Sequence, residues 1–541
     1  MSIINIDDFF DFDNHHPINR IAYTEEDAKY KLKCMKAMQD SGMKIFIDNA
    51  GNIAGEFPGQ YSKNKNFVMG SHTDSVLNGG QFDGPIGVYM SLKAAENYKN
   101  SLNGSQYGNM KTVIYACEES TRFSTACIGS YYLNGAFSEE YLSTLQDKNG
   151  ISFNEAVAEY KDYIFSHLAE YGIDLDNVEL VDKVISPEEI SEAIESHIEQ
   201  SEILFDSNNS IGIIDSIGKP VRGQIDVHGK DSIVTSAKII NELTEFAKDS
   251  KSGSNEEAVR ITVPKFNTID SETNQKNIQG NLFLVYAQGE NNHSGATPMD
   301  SRKDSVLGLS KLILGLDEFR KSNPEAKIDF LGTITPKWGA NQIQDKTYLV
   351  MQVEPETYNP IIQAYAEDLG KENNITFDLL NFNKAVVPED LHTELFVDIR
   401  QQYPVTPEET KDNLFNILKD VQTKHSDGKN SIGFYVTSEG TPVKTSTELL
   451  ENVKQICEDK NYPCQIMHSW PGHDLACILD PNNTTGKRIL FFIPSQGGSH
   501  NPKETTTREA VEIGTDVFCT LVNGRMNKIK EEYEKEAVLE K

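Results

Sequence analysis

Three histidines, an aspartate and two adjacent glutamates stand where together they can bind metal and move protons. His72 lies in Gly70-Ser71-His72-Thr73-Asp74-Ser75, and Asp83 follows eleven residues later in Gly79-Gly80-Gln81-Phe82-Asp83-Gly84. Glu118 and Glu119 come directly after Thr112-Val113-Ile114-Tyr115-Ala116-Cys117, His197 lies in Glu195-Ser196-His197-Ile198-Glu199-Gln200, and His500 closes Gly497-Gly498-Ser499-His500. Imidazoles and carboxylates suit zinc, manganese or cobalt, and five such ligands are too many for one tetrahedral ion but suit a pair that shares a bridging carboxylate. Consecutive residues leaving a strand point to different sides, so one glutamate can bind metal while its neighbour faces a water to be deprotonated.

These side chains need rigid supports, and the sequence supplies apolar runs just before three of them. Asn66-Phe67-Val68-Met69, Thr112–Cys117 and Ile489-Leu490-Phe491-Phe492-Ile493-Pro494 read as buried strands whose C-terminal ends carry the ligands, the place where α/β sites collect. Residues 24–42 and the segment opening at Gly84-Pro85-Ile86-Gly87-Val88 read as helices, and 452–459 as another. Between 135 and 197 the chain is acidic and reads as mostly helical, with cap-like clusters at Ser138-Glu139-Glu140 and Ser186-Pro187-Glu188-Glu189. From about 222 to 435 strands alternate with helices. The strands are expected at 223–228, 259–264, 281–287, 328–335, 348–353, 375–380, 394–399 and 432–436, and the helices near 234–248, 303–321, 357–370 and 407–424. The order βαββαβ-βαββαβ is twice the ferredoxin-like unit. Polar connectors are expected at 249–255 and 267–277, and an exposed helix end after 524.

A chain of 541 residues with 38% hydrophobic content divides into two or more domains. Its 82 acidic against 51 basic residues leave a net charge of −31, which repels nucleic acid and anionic membrane surfaces. Seven cysteines without a C-x-x-C pair fit reduced thiols. With no basic leader and no long apolar run, the expected location is the cytoplasm.

The phrases His72-Thr73-Asp74-Ser75 with Gly80-Gln81-Phe82-Asp83-Gly84, Glu118-Glu119-Ser120-Thr121-Arg122-Phe123, His197-Ile198-Glu199-Gln200, His293-Ser294-Gly295-Ala296-Thr297-Pro298-Met299 and Gly498-Ser499-His500-Asn501-Pro502 resemble the amidase/hydantoinase/carbamoylase family in kind and order. That family is related to zinc aminopeptidases and aminoacylases. The resemblance implies an α/β phosphorylase/hydrolase-like catalytic domain with a central mixed sheet, at 1–221 and 437–541. It also implies an inserted ferredoxin-like lid and dimerisation domain, here at 222–436 and enlarged to about twice the usual size. Two divalent ions (zinc, manganese or cobalt) are implied: His72 and His197 on one, Glu119 and His500 on the other, Asp83 bridging. Glu118 becomes the general base. Asp74, two residues beyond His72, can cap a turn or equally accept the second ring N–H of His72. His293 reaches the partner's active site across a dimer interface to stabilise an oxyanion. Arg400, in Asp398-Ile399-Arg400, holds a substrate carboxylate. Gln200, His473 and an asparagine, Asn383 or Asn341, complete the substrate contacts; the Asn383 alignment is the one adopted. Trp470 and Pro471 depart from the family's small residues beside His473.

The implied activity is hydrolysis of a linear amide C–N bond, foremost the ureido group of an N-carbamoyl amino acid or of a ureido acid such as allantoate, releasing ammonia and carbon dioxide. The substrate is a small molecule and the assembly a homodimer, with no nucleic acid or membrane partner. Two rival readings are an aminoacylase or dipeptidase acting on an ordinary amide, and a non-catalytic interaction protein on the same scaffold.

Overall fold

In the computed structural model the run that begins at Asn66 forms a strand buried at every position through His72, the pattern of a strand covered on both faces. The structure describes residues 4–539 apart from 14–15, 58–65, 102–108, 251–256, 269–274, 337, 389–390, 403, 426–429 and 480–486, and describes no side chain at 425, 533–534 or 536–539. Most of the two polar connectors expected at 249–255 and 267–277 therefore lies outside the described residues. The chain divides into two compact units, Met1–Ile217 with Val443–Lys541, and Gly218–Pro442. In chain order the strands that build the two frameworks are β1 (Asn66–His72), β2 (Asn109–Tyr115), β3 (Ile190–Ile198), β4 (Lys219–His228), β5 (Val259–Thr268), β6 (Gln275–Gln288), β7 (Lys327–Ile334), β8 (Lys346–Glu354), β9 (Thr376–Pro388), β10 (His392–Gln401), β11 (Ser431–Glu439) and β12 (Lys487–Ile493). No helix among the described residues is long and apolar enough to cross a membrane.

The first unit is organised on a mixed sheet of ten strands. Near its centre β12, β3, β1 and β2 are neighbours in that order and run parallel. All four therefore end at one edge of the sheet. Phe67, Met69, Ile489 and Phe491 from these strands join Ile86 and Met90 of the helix Pro85–Ser101 in one core. β3 corrects the sequence reading, because the helices Glu139–Thr144 and Phe153–His167 give way to a strand at Ile190 rather than continuing to 197. Its glutamates are buried and matched. Glu192 accepts from Arg525 Nε at 2.8 Å, and Glu195 accepts from Ser71 Oγ at 2.8 Å and from the Leu475 amide at 3.0 Å.

The helix Glu25–Asp40 also buries a charged pair. Lys31 Nζ lies 2.9 Å from Asp27 Oδ2, and both side chains are wholly shielded. Asp27 also accepts from the Tyr23 amide at 3.0 Å and the Thr73 hydroxyl at 3.1 Å. Lys31→Met should cost about 3–5 kcal/mol, since it strands a buried carboxylate; adding Asp27→Asn, which removes the charge and keeps an acceptor for Tyr23 or Thr73, should recover part of that. Chemical denaturation of the single and double variants measures both effects.

The second unit contains two four-stranded sheets, β11-β4-β10-β5 and β7-β8-β6-β9. All eight strands fall where apolar runs were expected. Numbered along the chain within each sheet, both have the strand order 4-1-3-2, and each has two crossover helices: Ser232–Asp249 and Pro407–His425 for the first, Ser305–Ser322 and Asn359–Asn373 for the second. The pairing is nested rather than tandem. The complete unit β6 to β9 sits between the second and third strands of the other, so β5 and β10 are sheet neighbours across that insertion. The edge strands β5 and β7 meet through side chains: the amides of Thr333 and Thr335 donate to Thr268 Oγ1 at 2.9 Å and Asn267 Oδ1 at 2.6 Å, and the Phe266 amide to Thr335 Oγ1 at 3.2 Å. Leu243, Leu309, Ile362 and Leu414, one from each helix, belong to a single core shared by both sheets.

Candidate active site

The parallel strands bring the candidate ligands together in the first unit. His72 ends β1, His197 lies near the end of β3, Glu118 and Glu119 follow β2, and His500 follows β12. Two groups result, His72 with Asp83 and His197, and Asp83 with Glu119 and His500; within each, the ligand atoms lie within 4.8 Å of one another, and all five residues are buried. Asp83 belongs to both. Its Oδ1 stands 3.8 Å from His72 Nε2 and 3.1 Å from His197 Nε2, while its Oδ2 stands 3.6 Å from His500 Nε2, itself 3.0 Å from Glu119 Oε1.

The tautomers make this a cation site. His72 Nδ1 is 3.0 Å from the Asp74 carbonyl oxygen, and His197 Nδ1 is 2.8 Å from that of Ile198. A carbonyl accepts only, so both Nδ1 atoms carry hydrogen, and in a neutral ring Nε2 then turns a lone pair toward Asp83. Lone pair against carboxylate is repulsive unless a cation or a proton lies between. Without metal the balance falls on a proton at His197: burial opposes the charge, but Asp83 outweighs it and raises the imidazole to about 9. His72 goes the other way, burial bringing it down to about 3. The donor set therefore fits a pair of divalent ions of the zinc, manganese or cobalt type.

Further residues hold these ligands in place. The carboxylate of Asp74 does not take the His72 ring N–H, which goes to its own backbone carbonyl; instead it accepts from the amides of Glu118 at 3.2 Å and Glu119 at 3.0 Å, fixing the glutamate pair. Gln200 donates its side-chain amide to Asp83 Oδ2 at 2.8 Å, and Ser499 also donates to that oxygen. Glu504, missed in the sequence, accepts from the amides of Phe82 at 2.9 Å and Asp83 at 3.1 Å, and its Oε2 lies 3.0 Å from Ser499 Oγ. Gly84 has φ +86°, and a Cβ there would come within 2.5 Å of the His72 ring, so only glycine fits. Gln200 and His500 are non-glycine residues at positive φ, 66° and 63°, the kind of strain that gathers at functional sites.

Glu118 differs from its neighbour. It retains partial exposure where Glu119 is buried, and the Cys127 thiol donates to its Oε1 at 3.3 Å. Burial, then the charges of Glu119, Asp474, Asp74 and Asp83, push its carboxyl well above the usual range in the metal-free protein. Divalent cations among these carboxylates act in the opposite sense and favour the ionised form a base needs. His473 stands beside the site, its ring centroid 4.7 Å from that of His197 and its Nε2 3.0 Å from Ser469 Oγ.

In the second unit, His293 Nδ1 accepts from the amides of Gly295 at 3.1 Å and Ala296 at 2.9 Å, which leaves its hydrogen on Nε2. Arg400 is buried at the end of β10, its Nε 2.9 Å and Nη2 3.3 Å from the two oxygens of Asp398. Although burial works against it, Arg400 and Arg222 hold the Asp398 carboxyl below its usual range. Arg400 and the His293 turn are neighbours: a Cβ on Gly295 would lie 2.3 Å from Arg400 Nη1. Asn341 joins them, its carbonyl accepting from the Ser294 amide at 2.8 Å and its residue buried. Asn383 does not; it is exposed on the edge strand β9, so the geometry favours Asn341 over the Asn383 alignment.

The chain is similar to known proteins. The sequence pattern of peptidase family M20/M25/M40 matches residues 68–524. The chain is 24% identical over 509 residues to an allantoate amidohydrolase of Bacillus subtilis, spanning 93% of this chain and 92% of that protein. It is 23% identical over 506 residues to an N-carbamoyl-L-amino-acid amidohydrolase of a Pseudomonas species, spanning 93% and 91%. The crystal structure of an amidase of the hydantoinase/carbamoylase family from Burkholderia multivorans has the same fold, with a TM-score of 0.53 at 20% identity over 95% of this chain and 93% of that one. The chain belongs to peptidase family M20/M25/M40, and its relatives make it a metal-dependent amidohydrolase.

Proposed function

We propose that the protein hydrolyses the ureido C–N bond of a small carboxylate-bearing substrate, an N-carbamoyl amino acid or a ureido acid such as allantoate. The observation that carries this reading is the pair of ligand groups sharing Asp83, with Glu118 beside them. His72 and His197 would hold one divalent ion, Glu119 and His500 the other, with Asp83 available to both. When bound, such a pair supplies Lewis-acid polarisation and lowers the pKa of water toward neutrality. Glu118 takes the proton of the attacking water and returns it to the leaving nitrogen. Across the dimer interface, the His293 Nε2–H of one protomer donates to the oxyanion that develops in its partner's site as the carbonyl carbon becomes tetrahedral. Water and the ureido group give ammonia and a carbamate, which falls apart to carbon dioxide and the amine.

Arg400 supplies a planar fork for the substrate carboxylate, pre-oriented by Asp398. Asn341 and His473 add polar contacts, and Gln200 orients Asp83. Arg400→Lys keeps the charge and loses the fork, so KM should rise about 10- to 100-fold with a smaller change in kcat; steady-state kinetics on the best substrate check it. The working assembly is a homodimer, which light scattering of the purified protein tests.

The reading is tested by following ammonia and free-amine release separately in the presence of zinc or manganese, with N-carbamoyl amino acids, N-carbamoyl-β-alanine, allantoate and ureidoglycolate, which release ammonia, beside N-acyl amino acids and dipeptides, which release only the amine. Turnover confined to the acyl and peptide members would replace the ureido assignment with an aminoacylase or dipeptidase.

A further inference from the structure

The outward face of the first sheet of the second unit carries a cluster that the proposed reaction does not use. Along β4, Ile225 and Val227 point into the core while Asp226 and His228 point out; along β10, Thr393 and Leu395 point in while His392 and Glu394 point out. The register sets His392 opposite His228 and Glu394 opposite Asp226. Side chains at directly paired positions are close enough to act on one atom. Donor atoms of Asp226, His392 and Glu394 lie within 4.8 Å of one another, and each of the three residues is partly exposed.

His392 shows what this arrangement lacks. Its Nε2 is shielded from solvent and has no hydrogen-bond partner. Asp226 Oδ1 stands 3.8 Å from that nitrogen, too far to accept a hydrogen bond and equal to the separation of His72 Nε2 from Asp83 Oδ1. Two donors each bound at about 2.0–2.2 Å to one ion span this kind of distance. The His228 ring covers the His392 ring face, centroids 3.8 Å apart and planes 20° from parallel. On the other side of Asp226, β11 presents Gly433, where the atoms nearest to an added Cβ belong to the Tyr435 side chain, at 3.5 Å and beyond. Space therefore remains beside the carboxylate. Two neighbours compete for the carboxylates: Gln224 donates to Asp226 Oδ1 at 2.8 Å, and Lys265, on β5, pairs with Glu394 Oε2.

We propose that Asp226, His392 and Glu394 form an additional divalent-cation site of the zinc or cobalt class, distinct in composition from the pair of groups that share Asp83. One imidazole and two carboxylates provide three protein donors, which leaves the outward coordination positions to water or to a donor from another molecule. A bound ion would link the two central strands β4 and β10 through their side chains, and Lys265, as a fixed positive charge beside Glu394, would weaken its binding.

The test counts zinc per chain by mass spectrometry after equilibrium dialysis of the full-length protein. It is done in the wild type and in an Asp83→Ala background, so that the result does not depend on how many ions the Asp83 groups hold. In both backgrounds His392→Gln should remove one equivalent, and the near-isosteric Asp226→Asn should remove the same one. Lys265→Gln should bind that equivalent about tenfold more tightly. Equal zinc content with and without His392→Gln and Asp226→Asn in both backgrounds would overturn the proposal, even if the Asp83 groups themselves bind no metal.

Discussion

Asp83→Ala should abolish turnover and lower the metal content by two equivalents per chain. The expectation follows from the shared position of one carboxylate: Oδ1 faces His72 and His197, and Oδ2 faces His500. Each half of the site loses a ligand at once, and three buried imidazoles lose the negative charge they converge on. Without acidified water and a polarised carbonyl, the loss in kcat/KM should reach ~10,000-fold or more. His500→Ala is the informative contrast, since it touches only the half containing Glu119 and should remove one equivalent. Metal counting on the two variants distinguishes a shared bridge from two independent sites. If Asp83→Ala loses a single equivalent, the bridging role is wrong.

Glu118→Gln should do the opposite, retaining metal while slowing the reaction by about 100- to 10,000-fold, the range typical of a lost general acid or base. Glutamine has the size to keep the Cys127 contact and the backbone held by Asp74, so the change is confined to proton transfer. KM should move little, because Glu118 is assigned no binding role. Native-rate hydrolysis by this variant would remove Glu118 from the mechanism, whereas parallel loss of metal would make it a ligand instead.

Much of this architecture was readable from the amino acids, and the exceptions have physical causes. β1 and β12 announce themselves as unbroken apolar runs because both faces are covered. β3 hides, since Glu192, Glu195 and His197 interrupt its pattern; each glutamate is buried beside a partner distant in sequence, Arg525 for one and Ser71 with the Leu475 amide for the other. Glu504 escaped notice for the same reason, its partners Phe82 and Asp83 lying more than four hundred residues away. Asp74 reads from the sequence either as a cap or as a partner of His72, because its carboxylate and its carbonyl are equally near His72 in sequence while only the fold decides between them. The eight strands of the second unit were each legible, but the string βαββαβ-βαββαβ is the same whether two repeats follow one another or one interrupts the other. The pairing of β10 and β11 with β4 and β5, across the insertion, separates these cases.

That nesting has a consequence for how the chain comes together. Written as brackets, residues 1–217 and 443–541 enclose the outer halves of one repeat, and those halves enclose the other. The innermost repeat is contiguous and closes by local contacts, the fast kind, whereas its surroundings must join segments separated by everything inside them. During synthesis the middle of the polypeptide can mature while the enzyme's own sheet still lacks β12. His500 emerges only after that strand. The proposed grip on two cations therefore waits for a segment made after the whole second unit, so hydrolytic competence follows the maturing of the middle of the chain rather than preceding it.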